Sequence, residues 1–132
     1  MTAMVIDASS VVDLVRGDAR ADKTRRIVRD AELHAPDIVT VEVISAIARQ
    51  ERSGLAVLVV DTAVRSLVRF PVTRHASADL VADAWVLRPN VRIADAFYVA
   101  LARTLSLPLV TSDARLGRTI QQQSLCDVRV IA

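Results

Sequence analysis

The chain has one cysteine, Cys126, in 132 residues. An internal disulfide and a cysteine-based zinc site are therefore excluded. Long apolar runs are also absent. The longest, Leu55–Val60 and Ala96–Ala102, fall far short of the ~20 residues that span a bilayer. The first residues, Met1-Thr2-Ala3-Met4-Val5-Ile6-Asp7, carry no basic segment, and Asp7 interrupts their apolar run, so a signal peptide is not expected. These absences predict a cytoplasmic protein with no membrane partner. There is no repeat, low-complexity stretch or linker, which predicts a single domain over residues 1–132. Lysine is nearly missing too. Lys23 is the only one, so 17 − 1 = 16 of the basic residues are arginine.

Apolar residues are what the chain has in abundance. Hydrophobic residues make up 52% of it, and the mean hydropathy is +0.35, which excludes disorder. A chain of this length buries about two-thirds of its unfolded surface, enough for a core without staples. The apolar excess suggests that a partner or a second copy covers some of the surface. The net charge of +2 is too small to argue nucleic-acid binding alone, although arginine suits phosphate through its planar fork.

Strand and helix signals alternate along the chain. Met4-Val5-Ile6 reads as a short buried strand ending at Asp7, followed by a helix to about Arg16 that Gly17 stops. A charged helix spans Asp18 to Asp30, with acids in its first turn and basic residues later, as the helix dipole favours. Glu32-Leu33-His34-Ala35 is a short strand, and helices follow at 37–52 and 55–69. Pro71-Val72-Thr73 reads as a strand. Ser77 caps a helix running to about Leu87, and Pro89-Asn90 makes a turn. Ile93 to Leu105 is an apolar helix, Leu107 to Thr111 a buried strand, Ala114 to Gln123 a helix, and Asp127 to Ile131 a closing strand. This alternation predicts an α/β fold of three layers, α/β/α, around a mainly parallel sheet of about five strands.

The informative acids are those that a solvated surface does not explain. Asp61 has Arg65 at i+4, Asp13 has Arg16 at i+3, and Asp79 and Asp83 lie early in a helix. Four others lack such an account. Asp7 and Asp113 end apolar strands. Glu42 lies within Ile38–Ala48 and Asp95 within Ile93–Ala102, with no basic partner in view at helical spacing. An unpaired buried carboxylate is very costly, so each needs a proton, a remote arginine or a metal. In parallel sheets ligands gather at the carboxyl ends of the strands, where all four acids can converge. An all-oxygen set without histidine or cysteine favours Mg²⁺, with Mn²⁺ able to substitute. Each acid also has a plainer role: Asp7 as an N-cap, Asp95 as a first-turn acid, Asp113 as a turn and cap residue, and Glu42 in a cross-helix arginine pair.

Four stretches stand out in order: Val5-Ile6-Asp7-Ala8-Ser9, Val41-Glu42-Val43, Ala94-Asp95-Ala96-Phe97-Tyr98-Val99-Ala100-Leu101-Ala102, and Leu109-Val110-Thr111-Ser112-Asp113-Ala114-Arg115-Leu116. Together they resemble the PIN-domain family, most closely the VapC-type toxins of bacterial toxin–antitoxin pairs. The resemblance implies a compact α/β/α fold and a metal-dependent endoribonuclease. It makes Asp7, Glu42, Asp95 and Asp113 the acidic cluster, with Asp7 and Asp95 as metal ligands and Glu42 and Asp113 assisting directly or through water. Ser9 and Thr111 are then supporting hydroxyls. Arg92 and Arg115 are candidates for RNA contact, each with a surface or pairing role as the alternative. Tyr98 is a candidate for stacking on a base, but its position in an apolar helix favours core packing. The resemblance further implies an RNA substrate, a cognate antitoxin that covers the acidic site, and a homodimer. A PIN-like protein-binding module without nuclease activity is the alternative, disfavoured because all four acids are present. A haloacid-dehalogenase-type phosphatase needs Asp-x-Asp where this chain has Asp7-Ala8-Ser9. A receiver-type signalling domain needs a late lysine, and Lys23 is early.

Overall fold

The computed structural model describes residues 2–131. Five strands form one sheet in the order β3-β2-β1-β4-β5: β1 (Thr2–Ile6), β2 (Ala31–Pro36), β3 (Thr73–His75), β4 (Leu109–Thr111) and β5 (Val128–Val130). Every pairing is parallel. The helices are α1 (Ala8–Arg16), α2 (Ala19–Val28), α3 (Val39–Arg52), α4 (Val57–Val68), α5 (Val81–Val86), α6 (Ile93–Leu105) and α7 (Ala114–Gln123).

Local chemistry explains most of the boundaries. The Asp7 side chain accepts a hydrogen bond from the Ser10 backbone N–H and opens α1, which closes at Gly17 with φ of 68°. That left-handed conformation suits glycine. Asp18 opens α2 by accepting from the backbone of Arg20 and Ala21. Asp113 opens α7 by accepting from the Leu116 backbone. Two expectations shift. The third strand is Thr73–His75 rather than Pro71-Val72-Thr73, because proline has no N–H for the ladder. Ser77 makes no capping bond; a 3₁₀ turn at Ser77–Leu80 leads into the short α5.

The topology decides where a site can form. From β1 the chain moves outward to β2 and β3, then crosses back and places β4 on the other side of β1. The order therefore reverses between β1 and β4, which is the crevice where parallel sheets bind ligands. Helices α1 to α4 pack on one another, whereas α5 packs on α6 and α6 lies against β1 and β2. Right-handed crossovers put these two sets on opposite faces of the sheet. Val5, Ile6, Leu109 and Val110 are fully buried at the centre. Removing such side chains from water supplies the main stabilisation of a domain this size. They also hold the residues that follow, Asp7 and Ser112-Asp113, at one rim. Among the described residues no helix is long and apolar enough to cross a membrane.

Candidate active site

The rim between β1 and β4 opens into a cleft of about 340 Å³ whose walls include Asp7, Glu42, Asp95 and Asp113. The carboxylates expected to converge do so, although they come from four separate parts of the chain. Asp7 follows β1, Glu42 lies in the first turn of α3, Asp95 in the first turn of α6, and Asp113 precedes α7.

Asp7 is the innermost, only 4% exposed. Ser9 Oγ donates to its Oδ1 at 2.7 Å, and Thr111 Oγ1 donates to its Oδ2 at 2.5 Å. Both hydroxyls expected to support the site therefore touch Asp7. They also tie the two strand ends together: Ser9 Oγ accepts from the Ser112 backbone, and Thr111 Oγ1 accepts from the Asp113 backbone. Burial pushes the Asp7 carboxyl up to about 6, with the nearby Asp95 charge adding to the rise; the hydroxyl and backbone donors oppose it. Hydrogen bonds that favour the anion thus do not offset its desolvation.

Asp95 has a partner that helical spacing did not bring to view. Arg92 Nε donates to its Oδ2 at 3.2 Å, an i,i+3 pair. Arg92 stands just before the first residue of α6, so a count confined to the helix passes over it. Burial still raises the Asp95 carboxyl above its usual range, with Arg92 lowering it and Asp113 raising it. Arg92 is drawn to the whole cluster: Asp95, then Asp113 and Glu42, all favour its charged form.

Glu42 is held by Tyr98. The tyrosine is 1% exposed, which fits its expected place in the core, yet its hydroxyl donates to Glu42 Oε1 at 2.5 Å. Burial and the Glu42 contact hold the phenol protonated far above its ordinary range. No arginine pairs with Glu42 among the described residues. Asp113 is half-buried and does act as a cap, while still facing the cleft.

Other wall residues were not singled out from sequence. Asp13 does not pair with Arg16 as expected. It accepts from Ser112 Oγ at 2.6 Å and lies 3.7 Å from Arg20 Nε. Arg16 turns instead to Asp18 at 3.7 Å. Arg20 also donates to the carbonyls of Ser112 and Ile131. Arg49 and Gln50 on α3 complete that side of the cleft. Arg49 repeats on the Glu42 face two helical turns later, a spacing visible in the sequence; the contacts of Asp13 and Arg20 have no such signal. Arg115 is exposed and lines an adjoining depression with Arg92, Asp95 and Asp113.

The donor set suits a hard cation. Burial and neighbouring acids raise the proton affinity of Asp7 and Asp95, a burden that a divalent cation would relieve. Among the described residues no three side chains of ligand type stand close enough to grip one ion together. A cation held here would therefore meet at most two of these carboxylates directly, with water supplying the remaining oxygens.

Comparison with known proteins agrees with the geometry. The PIN domain family model matches residues 4–120. Ribonuclease VapC3 of Mycobacterium tuberculosis is 44% identical over 117 residues, which are 87% of this chain and 85% of that protein. Ribonuclease VapC9 of the same organism is 34% identical over 129 residues, 97% of this chain and 98% of that one. Among solved structures, VapBC2 from Rickettsia felis bound to a promoter DNA fragment aligns over 99% of this chain and 100% of that one. Its TM-score is 0.68 at 8% identity. M. tuberculosis VapC20, a toxin that cleaves the sarcin-ricin loop, aligns with a TM-score of 0.66 at 20% identity over 87% of this chain and 93% of that one. Matched over most of its length by the family model and by relatives of the VapC type, the chain belongs to the PIN-domain family.

Proposed function

We propose that the protein is a metal-dependent endoribonuclease, the toxin of a toxin–antitoxin pair. One observation carries the reading: Asp7, Glu42, Asp95 and Asp113 meet in a single cleft at the strand-order reversal. The ribonuclease names of the VapC relatives support it.

Asp7 and Asp95 would hold Mg²⁺, or Mn²⁺ in its place, with Glu42 and Asp113 assisting directly or through water. Such a cation supplies charge neutralisation at the scissile phosphate and a more acidic water. The chain's own residues do the rest. Ser9 and Thr111 fix both oxygens of Asp7, so the carboxylate is oriented before any ligand arrives. Tyr98 holds Glu42 by one oxygen, and the residue lines the cleft. Arg92 and Arg115, with Arg20 and Arg49, surround the acids with guanidinium groups suited to RNA phosphates. Water attack at phosphorus leaves a 5′-phosphate and a 3′-hydroxyl without using the ribose 2′-hydroxyl. Recovery of a 2′,3′-cyclic phosphate would contradict this route.

A cognate antitoxin and a second copy of the chain are part of the same proposal. Apolar side chains on α3, α4 and α5 face solvent, among them Val41, Ile44, Leu58, Val68, Trp85 and Val86, with Leu58 and Val68 each 80% exposed. That surface supports covering partners. The test of the enzyme is RNA cleavage with Mg²⁺ or Mn²⁺, with EDTA, and with Asp95→Asn. Activity that survives both chelation and the substitution overturns the metal-nuclease reading. Equal harmlessness of wild type and Asp95→Asn on expression in bacteria overturns the toxin reading.

A further inference from the structure

The protein has two histidines, and the fold brings them together. His34 lies on β2 and His75 on β3. In the parallel register His34 is opposite Thr73, so His75, two residues on, is its diagonal neighbour on the same sheet face. His34 Nδ1 and His75 Nε2 face each other at 2.8 Å, with the rings tilted by 41°. Behind His34, Glu32 Oε1 stands 3.0 Å from Nε2.

That third contact fixes the chemistry. A carboxylate accepts, so His34 Nε2 carries a hydrogen. Neutral His34 therefore presents the lone pair of Nδ1 toward His75. A carboxylate holding the far nitrogen of an imidazole, while the near nitrogen points at a second imidazole, is the arrangement found behind metal-bound histidines. We propose that His34 and His75 form a second cation site, separate from the acidic cleft, for a first-row divalent ion that favours imidazole, Zn²⁺ or Ni²⁺.

The fit needs a small adjustment. Two nitrogens bound to a tetrahedral ion at about 2.0–2.1 Å lie about 3.3 Å apart. The rings must open by about half an ångström from their present separation; the His34 side chain is 13% exposed, and neither histidine is fully buried. His75 must also carry its ring hydrogen on Nδ1. Among the described residues no third histidine, cysteine or carboxylate joins the pair as a ligand. Water completes the shell, and the site is weaker than a four-ligand structural zinc site. A bound ion clamps the edge strand β3 to β2. It does not draw on the nuclease reading.

The test uses the tag-free chain in excess Mg²⁺, which keeps the carboxylates supplied with their own cation. Zn²⁺ is titrated in while the imidazole signals are followed by NMR. Because the chain has two histidines, every ring resonance is assignable to this pair. The expected result is a saturable shift of both rings at one ion per chain, with a rise in melting temperature. His75→Gln lowers the affinity at least tenfold. Glu32→Gln lowers it by about tenfold or more, as loss of an outer-shell partner does. Zn²⁺ that binds without moving either ring, or binds His75→Gln as tightly as wild type, overturns the proposal. So does the absence of binding. The wild-type ring shifts keep the test decisive even if a variant folds poorly.

Discussion

Two neighbouring strand pairs end at the same rim and carry different chemistry. At the centre, β1 and β4 lead into carboxylates steadied by hydroxyls: Asp7 accepts from Ser9 and Thr111. Toward the edge, β2 and β3 carry imidazoles, with His34 facing His75 and Glu32 behind. The centre is covered on both faces, so an anion there is costly and its proton affinity rises. The edge strand has one side without a neighbour, and Glu32 beside it is exposed. The comparison teaches that strand position sets how much of a group's charge the fold must offset. The donor atoms would then select any ion bound there, oxygen for a hard cation and nitrogen for a borderline one.

Substitutions can break or sharpen that contrast. The largest effect is expected at the centre. Asp95→Asn should lower RNA cleavage by about 10³-fold, worth about 4 kcal/mol of barrier. Circular dichroism and the melting curve should stay close to wild type. If cleavage persists, the centre has no special chemistry and the contrast collapses.

Next comes the acid–base behaviour of Asp7 in the metal-free protein. Its folded carboxyl titrates near 6 against an ordinary value of 3.8. Below the ordinary value both folded and unfolded chains hold the proton, so there is no effect. Between the two values the unfolded chain releases a proton that the folded chain keeps, and stability falls as pH rises. The loss is on the order of 2–3 kcal/mol by pH 7. Urea unfolding in EDTA at pH 4.5 and pH 7, compared with Asp7→Asn, measures it. The variant should have the smaller pH dependence.

A smaller effect is expected for Tyr98→Phe. It removes the donor to Glu42 and costs about 1–2 kcal/mol of stability. Cleavage should fall by about tenfold, because Glu42 loses its orientation. If only stability changes, Tyr98 belongs to the core alone. The smallest effect is expected at Arg115, which is exposed and outside the acid network. Arg115→Ala should weaken RNA binding uniformly across sequences and reduce the salt slope by about 1. Filter binding to a catalytically silent background at several salt concentrations checks it.

Legibility in the sequence followed the range of the interaction. Helix α6 lies at Ile93–Leu105 and α7 at Ala114–Gln123, as capping and apolar spacing predict. The convergence of the four acids was readable because parallel topology sends strand ends to one rim. Short elements were harder. Strand β3 is three residues long and two residues later than expected. Remote partners were hardest. Tyr98 reaches Glu42 across 56 residues, and Ser112 reaches Asp13 across 99. No local pattern marks either. The Arg92–Asp95 pair was within reach of spacing and lay one residue outside the helix where the count began.

The register of the central strands has a further consequence during folding. Val5 pairs with Leu109 and Ile6 with Val110, so the middle of the sheet joins stretches far apart in the chain. Asp7 and Thr111, whose contact fixes the cleft, are 104 residues apart. Sheets built on such distant pairings close late and slowly. A chain in which β1 and β4 have not yet paired therefore carries separate acids but no assembled cleft. The Thr111 hydroxyl reaches Asp7 only when that central pair closes, so the cleft and the middle of the sheet form together.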